Sequence, residues 1–370
     1  MIPKSSLYIH IPFCAKKCLY CSFTVCVAQQ QHIDPYLKCL SKESEVYKGQ
    51  NVQSIYIGGG TPTYLTGHQL GFLFSMIRKN FHVASSVEFT IEANPESLDK
   101  EKISIMKNAG VNRLSLGVQS FHNKYLNYLG RNHDADAALK AFELLREGGM
   151  KNISVDLMYL FPGQTFQELK EDVKQLTGFE SEHVSLYTLT LEPNSRLFVQ
   201  KEKLPSEDIQ AQYYSYVKEA LEKKGLKQYE VSNFAKRGRE SLHNLNYWVG
   251  GNYIGLGVAA HSHKDGRRSW NNSFLKTYMK LILEKGLGEE GFEQLNPYER
   301  MKESFVFGLR MNRGVNIKNL QEKYAAVFIE QDSVMIKRLK DAGFLVREKG
   351  YLKATDKGRL ILDELCAYLI

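Results

Sequence analysis

The feature that most limits the folds open to this chain is a regular alternation of short strands and longer helical patterns between residue 6 and about residue 190. Stretches such as 134–149 and 165–176 place apolar residues at three- and four-residue spacing, as amphipathic helices do. This alternation predicts an α/β protein with right-handed crossovers and a parallel sheet. Six strand–helix units are too few for a closed eight-stranded barrel, so we expect an open, partial (β/α)6 barrel, with a doubly wound sheet as the alternative. The predicted strands span residues 7–11, 54–58, 87–93, 113–118, 153–159 and 183–189.

A polar or glycine-punctuated motif follows every predicted strand. The first strand runs into a cysteine-rich stretch and the second into GGGTPT at 58–63. The later strands run into EANP at 92–95, VQS at 118–120, FPGQT at 161–165 and LTLEP at 189–193. Each motif alone is typical of an ordinary turn. Because the carboxyl ends of parallel strands share one edge, the succession predicts a single ligand site at that edge.

The rest of the chain predicts two smaller parts beside the barrel. We expect the barrel core to span residues 1–235, a connecting segment with the sequence HNLNYW to span 236–295, and a C-terminal module to span 296–370. The barrel would thus carry a C-terminal α+β extension whose last part, two helices and a short hairpin, is typical of a small winged-helix-like module. The basic face of its second helix is weak, so we expect a structural or covering role and no nucleic acid as a partner.

Composition and charge set further bounds. The chain has 370 residues, a net charge of +8 spread along its length and only six cysteines. It has no run of about 18 apolar residues that would predict a transmembrane helix, and its first residues lack the pattern of a signal or transit peptide. We therefore expect a cytoplasmic protein, for which peripheral contact with a membrane stays open. In a reducing compartment, crowded cysteines favour a metal or redox site over a disulfide.

Three of the six cysteines stand in one short stretch, CAKKCLYC. Cys14, Cys18 and Cys21 have the spacing C-x3-C-x2-C, and thiolates so close together can converge on one soft metal centre. An iron–sulfur cube held by three cysteines leaves one iron open to a small molecule. A structural zinc ion would instead need a fourth ligand. The candidates for that ligand are Cys26, His32 and Cys39.

The motifs together resemble a known family. C-x3-C-x2-C with Tyr20 before the last cysteine resembles the radical S-adenosylmethionine (radical SAM) superfamily, and GGGTP after the second strand strengthens the likeness. The resemblance implies a 4Fe-4S cluster whose open iron binds the amino and carboxylate groups of S-adenosyl-L-methionine. YIHIPFC, IEANPE, GVQSF, LGRNH, VDLMY and PGQT narrow the likeness to the branch of oxygen-independent coproporphyrinogen dehydrogenase and its relatives.

The resemblance implies which groups meet the methionine end of S-adenosylmethionine. The three cysteines would hold the cluster. The backbone groups of Gly59, Gly60 and Thr61 would contact the methionine moiety, where glycine permits a close approach. The planar guanidinium of Arg131 would pair with the carboxylate of S-adenosylmethionine through two N–H groups.

A second set of residues is implied for the remainder of the cosubstrate. Tyr8 would lie beside the cluster and the cosubstrate. Glu92 and Gln119 would bind toward the ribose and the methionine. Asp156 would hold the ribose hydroxyls, and Thr190 would lie near the adenine.

Two features separate this chain from the dehydrogenases. Phe23 stands where they carry a fourth cysteine, and the chain starts almost at its first strand, without their longer N-terminal segment. Both features match the sister family of heme chaperones called HemW, and HNLNYW fits that family's H-N-x-x-Y-W signature. We therefore expect a chaperone that carries heme to an acceptor, such as a respiratory heme protein. Oxidative decarboxylation of coproporphyrinogen III, or a radical reaction on an unrelated substrate, stays open as an alternative.

The signature implies heme contacts. His243 would be the axial ligand of the heme iron, as a neutral imidazole. Asn244 would hydrogen-bond the imidazole or a propionate, and Tyr247 and Trp248 would flank the macrocycle. Alternative axial ligands are His261 and His263, and candidate partners for the propionates are Arg237, Arg239, Arg267 and Arg268.

One residue departs from the family's pattern. The family usually has Gly-Leu before the proline of the motif after the fifth strand, whereas this chain has YLFPGQT and places Leu160 where the glycine stands. We expect this side chain either to reshape the cosubstrate edge or to be accommodated locally.

Overall fold

The core of the molecule is a row of six parallel strands in sequence order. The computed structural model describes residues 5–200 and 202–369, so the segment before Ser5 and the last residue of the predicted C-terminal module lie outside it. The strands are β1 (Ser5–Ile11), β2 (Gln50–Gly59), β3 (Phe81–Ala93), β4 (Arg113–Gln119), β5 (Ile153–Tyr159) and β6 (His183–Thr188). They pair in parallel from β1 to β6 without any reversal of order. A doubly wound sheet would reverse its order at a switch point, so the partial barrel is confirmed and the alternative is wrong.

Apolar and polar side chains alternate along β1, and this alternation assigns them to opposite faces of the sheet. Leu7, Ile9 and Ile11 are completely buried in the main hydrophobic cluster. Because successive side chains point to opposite faces, Tyr8 and His10 face the barrel interior instead. Each apolar side chain of this size contributes roughly 1.5–3 kcal/mol by its burial. The apolar core therefore lies between sheet and helices, and the interior is left polar.

Helices cover the outer face of the barrel. Capping boxes at Thr66 and Thr165 fix the start of two of them, because each threonine side chain accepts from a backbone N–H in the first turn. The helices predicted over 134–149 and 165–176 are confirmed. The six are α1 (Ile33–Glu45), α2 (Gly67–Asn80), α3 (Lys100–Asn108), α4 (Asn123–Leu129), α5 (Ala135–Glu147) and α6 (Phe166–Gly178).

The sheet continues past the barrel on both sides. Next to β6 lie two short antiparallel strands, β8 (Asn233–Ala235) and β7 (Lys227–Gln228). A bend at 231–232 separates β7 from β8, so the chain folds back on itself here. Next to β1 lie, in order, β9 (Tyr253–Leu256), β10 (His261–Lys264), β11 (Arg267–Asn271) and β12 (Glu289–Gln294). The helices of this region are α7 (Arg196–Gln200), α8 (Glu207–Lys223), α9 (Leu242–Trp248) and α10 (Leu275–Lys285).

The last part of the chain has its own hydrophobic cluster, which includes Phe305, Leu345 and Leu365. Its strands form a three-stranded sheet in the order β13 (Val315–Asn316), β15 (Tyr351–Ala354), β14 (Leu345–Glu348). The order of helices followed by a hairpin agrees with the predicted winged-helix-like module. Across the part of the chain that the structure describes, no helix has the length and apolar character needed to cross a membrane. The helices are α11 (Pro297–Leu309), α12 (Ile317–Tyr324), α13 (Glu330–Asp341), α14 (Asp356–Leu360) and α15 (Leu362–Leu369).

Candidate functional site

The cysteine loop leaves the carboxyl end of β1. A short parallel pairing of Phe13–Cys14 with Cys26–Val27 closes this loop on itself. Thr61 donates through Oγ1 to Sγ of Cys14 at 3.4 Å, and Arg131 donates through Nη1 to Sγ of Cys18 at 3.6 Å. Burial raises the pKa of the Cys14 thiol to about 11 and also raises that of Cys21. These two thiols are therefore protonated at neutral pH until a metal centre displaces the protons.

The three cysteines line one cavity of about 370 Å³ at the carboxyl ends of the strands, which we call the cofactor pocket. The motifs that follow the strands thus converge on one cavity. Tyr8 is outside the lining; its hydroxyl is 2.9 Å from Nδ1 of His10, beneath the pocket. Phe23 is at the wall and 64% exposed. The predicted S-adenosylmethionine residues that line the pocket are Gly59, Gly60, Thr61, Glu92, Gln119, Arg131, Asp156 and Thr190.

Two glycines after β2 make room for the cysteine loop. A Cβ added to Gly59 would come within 2.5 Å of the ring of His10, and one added to Gly60 would come within 2.9 Å of Sγ of Cys14. Gly59 also has a φ of +112°, which side chains rarely adopt. His10 in turn contacts the carbonyl of Thr24 through Nε2 at 3.0 Å, so it ties the loop to β1. His10 was not among the predicted site residues, although the strand alternation places it at this edge.

Two carboxyl groups face the pocket from β3 and β5. Burial raises the pKa of Glu92 to about 7, against hydrogen bonds from the Tyr56 hydroxyl at 2.7 Å and the Gly59 N–H at 3.1 Å. Burial also raises the pKa of Asp156, whose Oδ1 accepts from Oγ of Ser115 at 2.9 Å. Glu92 therefore changes protonation at little cost near neutral pH, and both carboxyl groups can hydrogen-bond a neutral, hydroxyl-bearing ligand.

Arg131 crosses the pocket with part of its guanidinium unpaired. Nη2 donates to Oδ1 of Asn94 at 2.8 Å and to the carbonyl of Gly117 at 2.7 Å. Nε is buried and has no hydrogen-bond partner. A buried donor without a partner is costly, so this atom is free to donate to a ligand acceptor. The chemistry matches the carboxylate predicted to pair with Arg131.

The donor set fits a 4Fe-4S cluster with an open iron better than it fits zinc. All six cysteines are free thiols, and three of them line the cofactor pocket. The proposed fourth zinc ligands, Cys26, His32 and Cys39, are absent from the pocket lining. Among the residues described, no three His, Cys, Asp or Glu side chains stand close enough together to hold a metal ion. Cluster binding would therefore require the cysteine loop to draw its thiols together.

The HNLNYW segment forms α9, which closes the barrel interior from the amino-terminal side of the strands. Glu88 on β3 caps this helix, since its carboxylate accepts from the N–H groups of Leu242 at 3.0 Å and His243 at 2.9 Å. His243 is only 1% exposed. Its Nδ1 is 2.9 Å from Oγ of Ser54, and its Nε2 is 3.0 Å from the hydroxyl of Tyr247. Both ring nitrogens are thus occupied within the protein, which opposes the predicted ligand role as the side chain stands.

The other side of α9 borders a second cavity, of about 260 Å³. Aromatic side chains from α9, β9 and the C-terminal module line this cavity, which we call the aromatic cavity. Of the four predicted heme residues, only Tyr247 and Trp248 line it; Asn244 does not. Its lining includes Tyr247, Trp248, Tyr253, His263, Arg300 and Phe307.

Two of the four arginines proposed for propionates are engaged in ion pairs. Arg267 pairs with both carboxylate oxygens of Glu289 at 2.6 and 3.0 Å, and Arg268 pairs with Glu293 and Glu303. Of the four predicted arginines, only Arg268 lines the aromatic cavity. Sequence reasoning missed Arg300, because it lies in the C-terminal module, far along the chain from HNLNYW. No local motif could have placed it there.

Comparison with known proteins gives the chain relatives over nearly its whole length. The family model of the Radical SAM superfamily matches residues 8–176, and that of the HemN C-terminal domain matches residues 295–361. Heme chaperone HemW of Bacillus subtilis (strain 168) is 39% identical over 97% of this chain and 97% of its own length. Heme chaperone HemW of Escherichia coli (strain K12) is 32% identical over 98% of this chain and 97% of its own length. Radical S-adenosyl methionine domain-containing protein 1, mitochondrial, of Danio rerio is 32% identical over 98% and 86%, respectively.

A solved structure has the same architecture. Coproporphyrinogen III oxidase (HemN) from Escherichia coli, described as a radical SAM enzyme, superposes with a TM-score of 0.88 at 25% sequence identity. The match covers 99% of this chain and 90% of that protein. It confirms the predicted fold, a radical SAM barrel followed by a C-terminal domain.

Proposed function

The chain belongs to the HemW family of radical SAM proteins, and on that premise we propose that it is a heme chaperone, which binds heme and passes it to an acceptor protein. We place it in the cytoplasm, because its six cysteines are all free thiols and a reducing compartment keeps them so. The acceptor we propose is a heme protein, such as one of the respiratory chain, reached directly or at a membrane surface.

The cofactor pocket is proposed to hold the 4Fe-4S cluster on Cys14, Cys18 and Cys21, with S-adenosylmethionine on the open iron. When bound and reduced, the cluster supplies an electron that can cleave the cosubstrate. The free Nε of Arg131 supports a carboxylate at that position. The crowding at Gly59 and Gly60 supports a backbone contact with the methionine end.

The other proposed cosubstrate contacts depend on the polar wall of the pocket. Glu92, Gln119 and Asp156 would accept or donate hydrogen bonds to the ribose and the methionine. Thr190, at the end of the sixth unit, would border the adenine. Tyr8 keeps its proposed place beside the cluster only as a support, since it acts through His10 beneath the pocket.

The observation that carries the chaperone function is the separation of the two cavities. The aromatic cavity shares no lining residue with the cofactor pocket. A decarboxylase must hold its substrate against the radical-generating site. A heme carrier instead needs a flat apolar binding surface, a ligand for the iron and a cation that pairs with the propionates. The aromatic cavity has side chains of each kind, and two of them, Tyr247 and Trp248, come from the family's signature.

An anaerobic hemin titration of the cluster-reconstituted protein tests the proposal. We expect a Soret change that saturates at one heme per chain. A defined binding site takes up heme stoichiometrically, whereas a nonspecific apolar surface does not. Titration of the heat-unfolded protein is the control for adventitious binding. Absence of saturation with an intact cluster would contradict the chaperone function.

The structural match to HemN supports a second candidate, the oxidative decarboxylation of coproporphyrinogen III. Phe23 argues against it, since the dehydrogenases have a cysteine at this place. Incubation of the reconstituted protein with S-adenosylmethionine, a reductant and the porphyrinogen under anaerobic conditions distinguishes the two. We expect no consumption; formation of protoporphyrinogen would make the chain an oxidase.

A further inference from the structure

His263 has the hydrogen-bonding pattern of a preformed iron ligand. Its Nδ1 is 3.1 Å from the carbonyl oxygen of Gly251. Because a carbonyl can only accept, Nδ1 carries the proton and Nε2 keeps its lone pair. Metal-bound histidines almost always donate their other N–H in this way. Within residues 5–200 and 202–369, Nε2 has no hydrogen-bond partner, and it is not one of the buried unpaired atoms.

The turn after α9 positions the carbonyl that orients His263. Gly250 has a φ of +62°, and a Cβ there would come within 2.5 Å of Oγ of Ser304. A Cβ on Gly251 would collide with the side chain of Asn246 at 2.0 Å. Only the glycine pair lets the chain turn tightly enough to present this carbonyl to β10. The signature helix and His263 are therefore coupled through backbone.

The cavity around His263 carries two further groups that suit a tetrapyrrole dianion. Arg300 lies with its guanidinium 5.2 Å from the ring centre of Tyr324, and no carboxylate pairs with it in the described chain. Nε1 of Trp248 is buried without a partner. A cation and an N–H donor without acceptors, set among aromatic rings, fit the propionate edge and the face of a heme.

From these contacts we infer that Nε2 of His263, and not His243, binds the heme iron, with the macrocycle in the aromatic cavity and a propionate on Arg300. This inference rests on the proposed chaperone function and gives its binding site. His243 is then a positioning residue, which holds the hydroxyl of Tyr247 from inside the barrel. The cavity is too small to enclose a whole macrocycle, so one edge of the heme stays in solvent, where an acceptor can take it.

Hemin titrations of three variants test this assignment. His263→Ala should weaken hemin binding by about tenfold or more and shift the Soret band, because the iron loses its protein ligand. His261→Ala is the matched control, two residues away on the same strand and outside the cavity lining, and should match the parent protein. His243→Ala should lower thermal stability while the Soret position of its bound hemin is unchanged.

Rescue by a small ligand separates ligation from folding. Exogenous imidazole should restore the parental Soret position to His263→Ala, which a merely structural histidine would not allow. Parental affinity and spectrum in folded His263→Ala would overturn the assignment while leaving the chaperone function intact. A shifted Soret band in His243→Ala with none in His263→Ala would return the ligand role to His243. Failure of the parent protein to bind hemin would remove the chaperone function itself, and this assignment with it.

Discussion

At the scale of single residues, the cofactor pocket is held open by small and polar neighbours of the cysteines. Gly60 leaves room for Cys14, Thr61 donates to its sulfur, and Arg131 donates to Cys18. These contacts position the thiols, and none of them replaces a metal ligand. The metal content should therefore depend on the cysteines one by one.

Cys18→Ala should lose the cluster iron and sulfide and stay folded. Cys18 is only half-buried, so removal of its thiol leaves little cavity in the core. Iron and sulfide analysis after anaerobic reconstitution, with circular dichroism as the folding check, measures both effects. Cys26→Ala is the matched control and should keep its metal content. Full iron and sulfide in Cys18→Ala would contradict the three-cysteine site, and metal loss in Cys26→Ala would favour a fourth cysteine ligand.

The residues of the cofactor pocket could be predicted from the sequence, whereas most residues of the aromatic cavity could not. The cysteines, glycines and acidic residues of the cofactor pocket stand in contiguous motifs in a strand or just after one, so the topology alone brings them together. The aromatic cavity has no such motif. Arg300, Phe307 and Tyr324 reach it only because α11 packs beside α9 and α12 packs on α11. That docking depends on tertiary packing, which no local pattern encodes.

At the scale of elements, the loop after β5 explains the departure at Leu160. Leu160 has a φ of +65°, a conformation that glycine adopts freely and that costs other residues about 1–2 kcal/mol. Its side chain is buried in the main core, and its N–H donates to Oε1 of Gln164 at 2.7 Å. Both contacts hold the strained loop in place. The chain therefore accommodates this leucine locally, and Leu160 does not line the cofactor pocket.

At position 160 a glycine variant should be more stable than an alanine variant, which is the reverse of the usual order. Leu160→Ala and Leu160→Gly both lose the buried side chain, at a cost of about 2–5 kcal/mol. Only glycine also relieves the positive φ, so the glycine variant should be more stable than the alanine variant by about 1 kcal/mol. Chemical denaturation of the two variants measures the difference. A more stable alanine variant would show that the backbone here carries no strain.

The strands and helices of the barrel could be predicted because the spacing of the apolar residues agrees with the glycine and proline residues that separate the elements. The strand β5 and the helix α5 lie close to their predicted limits. The role of HNLNYW could not be predicted in the same way. Its segment is a short helix of seven residues, and its histidine turns inward because Glu88 and Ser54, from β3 and β2, fix the helix end and the ring. Those partners lie more than 150 residues earlier in the chain.

At the scale of the whole molecule, the two cavities lie on either side of one buried column of side chains. Glu92 at the cofactor pocket accepts from Tyr56 at 2.7 Å, and the ring of Tyr56 lies 5.2 Å from that of His243. His243 in turn contacts Tyr247 at the aromatic cavity. The barrel therefore supports both sites, while the C-terminal module supplies Phe307 and Tyr324 to the aromatic cavity. The proposed division at residues 235 and 295 stays a prediction, but its last part is the one that completes the cavity.

The measurement that tests the central claim most directly is the rate of heme transfer from the loaded, cluster-containing protein to an apo-acceptor. The heme-free form of a small b-type cytochrome domain is a suitable probe, because its Soret band reports arrival of the heme. A chaperone hands heme over in a complex, so the rate should rise with the acceptor concentration. A rate that is independent of the acceptor concentration and equal to spontaneous heme dissociation would contradict the claim, since the chain would then bind heme without delivering it.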